Sequence, residues 1–146
     1  MAQPVPNGGE LVRFSITMPE ELLMRFDSFV ARRGVAKNRS EVVRDLVRDA
    51  LVQEEVDMPG TEVMGTLTII FDHHASDVQE TLNKIQHTHH DLVVSATHVH
   101  IDAHTCLETI ILRGETTDVR LLADMIRGTK GVKQGGLVVT TTAQIV

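Results

Sequence analysis

The chain has 146 residues, a formal net charge of -6 and a single cysteine. The negative charge argues against a general nucleic-acid-binding protein, and the lack of Trp and Tyr argues against base stacking on single strands. The chain contains no run of about 18 apolar residues, so we expect no membrane span. The N-terminus "MAQPVPNGGE" lacks the features of a secretory signal. Because the cysteine has no disulfide partner, we expect a cytoplasmic protein with a reduced thiol.

Charges and histidines are distributed unevenly along the chain. Residues 1–53 hold eight Lys/Arg and seven Asp/Glu, a net charge of +1, whereas residues 54–146 have a net charge of -7 and contain all eight histidines. The contrast indicates two modules with different chemistry. We predict a flexible tail at 1–10, a first module at 11–53, a linker at 54–61 and a second module at 62–146.

The stretch "VRFSITM" at 12–18 has the alternating pattern of a strand. One face carries Phe14, Ile16 and Met18, and the other carries Arg13, Ser15 and Thr17. Helical patterns follow at 19–34 and 38–55. Because one strand and two helices are too small to bury a core, we expect a dimer in which two such strands pair antiparallel.

A two-stranded ribbon of this kind fits the major groove of B-DNA. Its polar face would present to the base edges Arg13, Ser15 and Thr17. The start of the second helix, where amides and polar side chains can hold phosphates, carries Asn38, Arg39 and Ser40. The alternative is an edge strand whose polar face is simply solvated.

The second module follows the order βαββαβ, the ferredoxin-like arrangement of an α+β fold. Strands are predicted at 62–72, 92–101, 105–113 and 136–145, and helices at 76–90 and 116–128. The four-residue turn "DAHT" joins the two middle strands into a hairpin. This hairpin contains the only cysteine and two of the histidines.

The hairpin register predicts a metal site. His98 and His100 lie two residues apart on a strand and therefore share a face. The turn sets Cys106 opposite His100 and Glu108 opposite His98, and cross-strand neighbours lie about 5 Å apart. Two imidazoles and one thiolate converge, which is one ligand short of a closed four-coordinate site. The alternative is a pair of solvated histidines beside a small buried cysteine.

A fourth ligand is available in "QHTHHD" at 86–91. The strand that follows places its far end roughly 25 Å away, so a histidine of the same chain would not reach and another subunit would have to supply it. Imidazole with thiolate suits Zn, Cu or Ni, and the sequence does not choose among them.

The two modules together resemble the NikR family of nickel-responsive transcriptional repressors, from Arg13 to about Val139. The motifs are "RFSITMPEELLMRFDSFVARRG", "NRSE" and "QHTHHDLVVSATHVHIDAHTCLE". The resemblance implies a ribbon-helix-helix DNA-binding domain followed by an ACT-like domain. It also implies a homotetramer that is a dimer of dimers, a palindromic operator in double-stranded DNA and repression of nickel-uptake genes.

The resemblance implies roles for individual residues. One square-planar Ni²⁺ per subunit would be held by His98, His100 and Cys106 of one subunit and by His87 of a neighbour. Supporting contacts to these ligands would come from Gln86 and Glu108. A secondary cation would be held by Glu41 and Asp45. The base-reading positions would be Arg13, Ser15 and Thr17.

Other interpretations stay open at the level of sequence. Further candidates for weaker metal sites, or simply solvated histidines, are His73, His74 and His104. The ACT-like domain could sense an amino acid instead of a metal, although that leaves the histidine and cysteine register unexplained. A hydrolytic zinc site could use Glu108 as its base, although no substrate pocket is evident.

Overall fold

The computed structural model describes residues 11–33, 38–75 and 77–141. The chain divides into two compact units, Met1–Arg44 and Asp45–Val146. In chain order the elements are α1 (Glu20–Arg32), α2 (Arg39–Val56), β1 (Glu62–Asp72), α3 (Val78–Thr88), β2 (Val93–His100), β3 (Thr105–Glu115), α4 (Thr116–Arg127) and β4 (Val132–Thr141). The predicted tail and the last residues of the predicted final strand, 142–145, lie outside the described residues.

The first unit contains α1 and the start of α2. Pro19 precedes α1, and Glu20 and Glu21 occupy its first turn, where carboxylates interact favourably with the helix dipole. A capping box begins α2, because the Asn38 Oδ1 atom accepts from the Glu41 N–H at 2.9 Å and the Asn38 N–H donates to Glu41 Oε2 at 3.1 Å.

Residues 11–19 form neither helix nor strand in the single chain. The strand predicted at 12–18 is therefore not formed here, since a strand needs a neighbouring ladder and no described residue supplies one to this segment. Its apolar side chains are uncovered, with Phe14 70% and Ile16 53% exposed. This segment has the alternation of a strand but lacks a pairing partner within its own chain.

The second unit is a four-stranded sheet in the order β2-β3-β1-β4. All three neighbouring pairs are antiparallel. The two helices α3 and α4 contribute to one buried core with the strands. The βαββαβ prediction is confirmed, and the sheet order is the one that two consecutive split βαβ units produce.

The core of the second unit lies on one face of the sheet. Alternate residues of the two central strands point inward, as the buried side chains of Leu67, Ile69, Phe71, Ile110 and Leu112 show. The end of α2 joins this core, because Val56 is fully buried in it and Val52 packs against it. The helix thus extends into the stretch predicted as a linker at 54–61. No helix among residues 11–33, 38–75 and 77–141 is long and apolar enough to cross a membrane.

Candidate metal centre and nucleic-acid surface

The β2–β3 hairpin has the predicted register. His98 is paired with Glu108, and His100 is paired with Cys106. All four residues lie on β2 and β3, which are consecutive strands joined by a short turn. This turn fixes the register between the two strands. The hairpin alone therefore places two imidazoles beside one thiol and one carboxyl group.

Asp102 shapes the turn of this hairpin. Its Oδ1 atom accepts from the backbone N–H groups of His104 at 2.8 Å and Thr105 at 2.7 Å. These two bonds hold the pKa of the Asp102 carboxyl below its ordinary value. The Ile101 N–H donates to the Thr105 carbonyl at 2.9 Å and closes the turn. The turn is therefore a tight loop held by the side-chain hydrogen bonds of Asp102. It aligns the two strands on either side.

Cys106 lies at the centre of the candidate metal site. Its side chain is fully buried, and its Sγ atom lies 3.3 Å from His100 Nδ1 and 3.4 Å from His73 Nδ1. Among the described residues, one group of metal-ligating side chains has all its ligand atoms within 4.8 Å of one another, and it consists of His73, His100 and Cys106. The structure therefore brings together two of the predicted ligands and one histidine that sequence analysis treated as peripheral.

Burial raises the pKa of the Cys106 thiol, and the carboxylates of Asp102, Asp72 and Glu108 raise it further. Asp72 has a lowered pKa because its carboxylate accepts from the His74 N–H, at 2.9 Å. The region around the sulfur is thus negative and partly dehydrated. Such surroundings disfavour a bare thiolate and favour a bound cation, which would stabilise the deprotonated sulfur.

His73 follows the end of β1 and was not predicted as a ligand of this centre. Phe71 pairs with Cys106 across the β1–β3 ladder, so the residues just beyond β1 lie over the sulfur. Partial burial lowers the pKa of His73, and the charges of His74 and His100 lower it further. The lowered pKa favours the neutral form of His73, which is the form that binds metals. The signal in the sequence is the His-His pair directly after a strand, but its use requires the β1–β3 register.

His98 contacts the carboxylate that lies opposite it. Its Nδ1 atom is 3.9 Å from Glu108 Oε2, and its ring meets the ring of Phe71 edge-on at 5.6 Å between centroids. Glu108 is only 6% exposed, and its Oε1 atom accepts from Gln86 Nε2 at 2.7 Å. Gln86, Glu108 and His98 thus form a chain of contacts from α3 to β2.

His87 lies in the last turn of α3. It does not belong to the three-residue group around Cys106, and neither does His98. The His87 carbonyl oxygen contacts the ring Nδ1 of His90 at 3.2 Å. Within one chain, then, His87 does not join the cluster, and its role as a ligand for a neighbouring subunit stays a prediction.

The predicted DNA-contacting residues lie in the first unit. Four of the six predicted residues line one groove: Arg13, Thr17, Arg39 and Ser40. Ser15 is exposed on the same segment but does not line the groove, and Asn38 caps α2. The predicted secondary-cation residues have other contacts, since Glu41 belongs to the capping box and Asp45 accepts from Arg48 Nη1 at 3.4 Å.

Arg39 is engaged by a carboxylate of α1. Its Nε and Nη2 atoms donate to the two carboxylate oxygens of Asp27, each at 2.6 Å. This bidentate pair is solvent-exposed, so it adds little to stability. It does determine where the guanidinium group points, and it neutralises one of the positive charges at the start of α2.

Both modules match known protein families. Residues 64–140 match the NikR C-terminal nickel binding domain, and residues 12–54 match ribbon-helix-helix proteins of the copG family. The chain belongs to the NikR family. Its fold class is therefore the predicted α+β class, with an N-terminal ribbon-helix-helix domain followed by a second domain of βαββαβ order.

Relatives match the NikR-family chain along nearly its whole length. A Geobacter sulfurreducens protein is 46% identical and a Geobacter sp. protein 48% identical, each over 93% of this chain and 97% of the relative. A Pyrococcus horikoshii protein is 43% identical over 92% of this chain and 97% of its own length. All three are named as candidate nickel-responsive regulators. Among solved structures, the ACT domain of a Chlorobium tepidum GTP pyrophosphokinase is similar, with a TM-score of 0.43, 11% identity and coverage of 53% of this chain and 86% of that chain.

Glu108→Gln tests whether the contacts that Glu108 makes with Gln86 and His98 support the candidate metal centre. The amide keeps the shape of the side chain and can still accept from Gln86, but it removes the negative charge that faces His98. We expect nickel affinity to fall by about 10–100-fold, the usual cost of losing a partner of a ligand, in competition titrations against a chelator. Glu80→Gln, an exposed change on α3, is the matched control. Unchanged affinity in Glu108→Gln would mean that the carboxylate does not support the ligands.

Proposed function

We propose that this chain is a nickel-responsive transcriptional regulator that acts in the cytoplasm. In this proposal it binds a palindromic operator in double-stranded DNA as a metal-loaded homotetramer and represses nickel-uptake genes. The observation that carries the proposal is the buried Cys106 thiol beside His100, in a chain whose other module is a ribbon-helix-helix domain. A soft donor set joined to a DNA-binding module fits a metal sensor.

The donor set around Cys106 fits a transition metal. With metal–sulfur and metal–nitrogen bonds of about 2.3 and 2.0 Å, ligand atoms of one coordination sphere lie roughly 3–3.6 Å apart. The observed spacing of 3.3 Å between Cys106 Sγ and His100 Nδ1 falls in that range. One nickel ion per subunit would be held by His98, His100 and Cys106 of one subunit and His87 of a neighbour. Bound nickel would supply a positive charge and directional bonds that join ligands of two subunits.

Glu108 is better suited to support ligands than to act as the base of a hydrolytic site. Its side chain is almost completely buried, and one oxygen already accepts from Gln86. A general base must reach a water or substrate proton, whereas this carboxylate faces α3 and His98. Together with the family to which the chain belongs, this arrangement favours a regulator over an enzyme.

The first module supports a second copy of the chain as partner. The apolar side chains of 11–16 are exposed and line a groove together with apolar residues of both helices, Leu23, Phe26 and Val43. Pairing with the same segment of another copy would satisfy the backbone groups and cover these side chains. The polar alternate residues Arg13, Ser15 and Thr17 would then form the face that reads bases in the major groove.

Nickel control of DNA binding requires that nickel binds one arrangement of the tetramer better than others. Gln86 contacts Glu108, and the next residue, His87, is the ligand proposed for a neighbour's site. Ligation by His87 would therefore fix the end of α3 and the subunit interface together. Because such coupling is reciprocal, operator DNA must raise nickel affinity by the same factor by which nickel raises DNA affinity.

The experiment titrates nickel into metal-free protein in the presence of fluorescent palindromic operator candidates taken from upstream of nickel-uptake genes. Anisotropy reports DNA binding, and absorption reports the thiolate–metal charge-transfer band. We expect both signals to rise together and saturate at one nickel per subunit. DNA binding that does not depend on nickel, or a band without a change in DNA affinity, would contradict the proposal.

Asp27→Asn tests whether the Arg39 pair restrains phosphate binding. Without the carboxylate, the Arg39 guanidinium is free to contact DNA, so we expect tighter binding to operator and to unrelated DNA alike. The slope of log affinity against log salt should steepen by roughly 0.9, the value for one added phosphate contact. The matched control is Asp124→Asn, which removes another exposed Asp–Arg pair, with Arg127 in the second unit. Weaker DNA binding in Asp27→Asn would show instead that the pair orients Arg39 for its contact.

A further inference from the structure

His73 has the position of a metal ligand although it belongs to no part of the hairpin. Its Nδ1 atom lies 3.4 Å from Cys106 Sγ, nearly the same distance as that of His100 Nδ1, 3.3 Å. Two imidazole nitrogens thus approach the same buried sulfur, one from β2 and one from the end of β1. Both distances fall within the roughly 3–3.6 Å that separate nitrogen and sulfur ligands of one metal ion.

The same centre therefore offers two different ligand sets. The set in the proposed function takes His98 from β2 and His87 from another subunit. The compact group within one chain instead takes His73, with all ligand atoms within 4.8 Å. His100 and Cys106 belong to both sets. A metal ion bound to these two residues would therefore be completed either by His73 or by His98 and the neighbour's ligand, and the two sets are alternatives.

We propose that His73, His100 and Cys106 form a single-chain site for a divalent transition-metal cation, which holds the cation before His87 of a neighbouring subunit becomes a ligand. Two imidazoles and one thiolate suit cations of intermediate softness such as Ni²⁺, Co²⁺ or Zn²⁺. Three protein ligands leave a coordination position open for water. Asp72 and Asp102 lie near the sulfur and add negative charge that attracts the cation.

This inference rests on the proposed function and gives it an order of events. A cation held by ligands of one chain makes no bond between subunits, so it would not by itself favour the tetramer arrangement that binds DNA. Exchange of His73 for His98 and the neighbour's His87 would then connect metal loading to the interface. His73 is half-buried and follows directly after the last residue of β1.

The test removes the intersubunit ligand and asks whether metal still binds. Co²⁺ is the probe, because its absorption reports thiolate ligation and coordination number, and full-length His87→Ala is the background. We expect Co²⁺ to bind this variant with a thiolate charge-transfer band. Adding His73→Ala should weaken binding by more than about 10-fold, since losing a ligand should cost at least as much as losing a ligand's partner.

Two matched variants in the same background make the result specific. Adding His98→Ala should weaken Co²⁺ binding much less than adding His73→Ala, because His98 is outside the single-chain group. His104→Ala removes an exposed histidine near the site that is likewise outside the group, and it should also have little effect. His73→Asn, which places an amide near the Nδ1 position, provides a second variant if His73→Ala alters the circular dichroism spectrum.

Three outcomes would overturn the single-chain site: no Co²⁺ binding by His87→Ala, no loss on adding His73→Ala, or a loss with His98→Ala as large as that with His73→Ala. These outcomes differ from a failure of the proposed function. If the wild-type chain shows no Cys106-dependent metal binding, nickel sensing itself fails. If wild-type binding and the nickel-dependent DNA response persist while His73 has no effect, only the single-chain site fails.

Discussion

Replacing Cys106 with alanine is expected to abolish nickel-dependent DNA binding. Cys106 contributes the only thiol of the chain and lies beside both neighbouring imidazoles. Without it, the remaining ligands are imidazoles, which neither balance the cation's charge nor give the thiolate charge-transfer band. Changes to residues that merely support ligands cost about 10–100-fold, so the loss of this ligand should exceed about 100-fold in nickel affinity, measured by competition against a chelator.

The controls for Cys106→Ala separate ligation from packing. The side chain is fully buried, so Cys106→Ser, which has nearly the same volume, tests whether a filled site without a soft ligand restores the response. We expect Cys106→Ser to fold like the wild type, judged by circular dichroism and thermal unfolding, and to remain insensitive to nickel. A nickel-dependent rise in operator affinity in either variant would contradict the role of the thiol.

The hairpin could be predicted from sequence because its geometry is local. The period-two spacing of His98 and His100 and the four-residue turn determine the register, and the observed pairs with Glu108 and Cys106 are the predicted ones. The order of strands and helices in the second module was equally accessible, since each element has its own periodicity. Predicting which side chains of this hairpin lie opposite one another therefore needed no information about contacts distant in sequence.

His73 could not be placed in the same way. Its contact with Cys106 joins residues 33 positions apart, and it depends on the β1–β3 register, which pairs Phe71 with Cys106. No short turn connects these strands, so several registers are compatible with the sequence. Dependence on contacts distant in sequence also explains why the position of Val56 was not predicted. This residue lies in the core of the second unit, although its local sequence predicted a linker.

The segment 11–19 shows the opposite case. Its alternation predicts a strand that would be one half of a ribbon, yet no described residue of the single chain supplies the other half. Regular hydrogen bonding is a property of the pair, whereas alternation is a property of each chain. This difference makes the segment the place where oligomerisation can be tested most directly.

Ile16→Asp is expected to remove DNA binding and leave metal binding intact. In the proposed ribbon dimer, Ile16 would be covered by the second copy, and an uncompensated buried carboxylate costs about 3–5 kcal/mol, equivalent to more than about 100-fold in association. Ile16 belongs to the unit Met1–Arg44, whereas the thiol and its imidazoles belong to the other unit. Operator binding by anisotropy should therefore be lost while the nickel charge-transfer band persists.

The matched control is Leu121→Asp, which places a carboxylate on another exposed apolar position, 62% exposed on α4 compared with 53% for Ile16. If apolar exposure alone mattered, both variants would behave alike. If the ribbon is the dimer contact, only Ile16→Asp should lower the molar mass in sedimentation experiments and abolish operator binding. Operator affinity equal to that of the wild type in Ile16→Asp would mean that residues 11–19 do not pair between copies, and Arg13, Ser15 and Thr17 would then lose the face on which their proposed contacts with base edges depend.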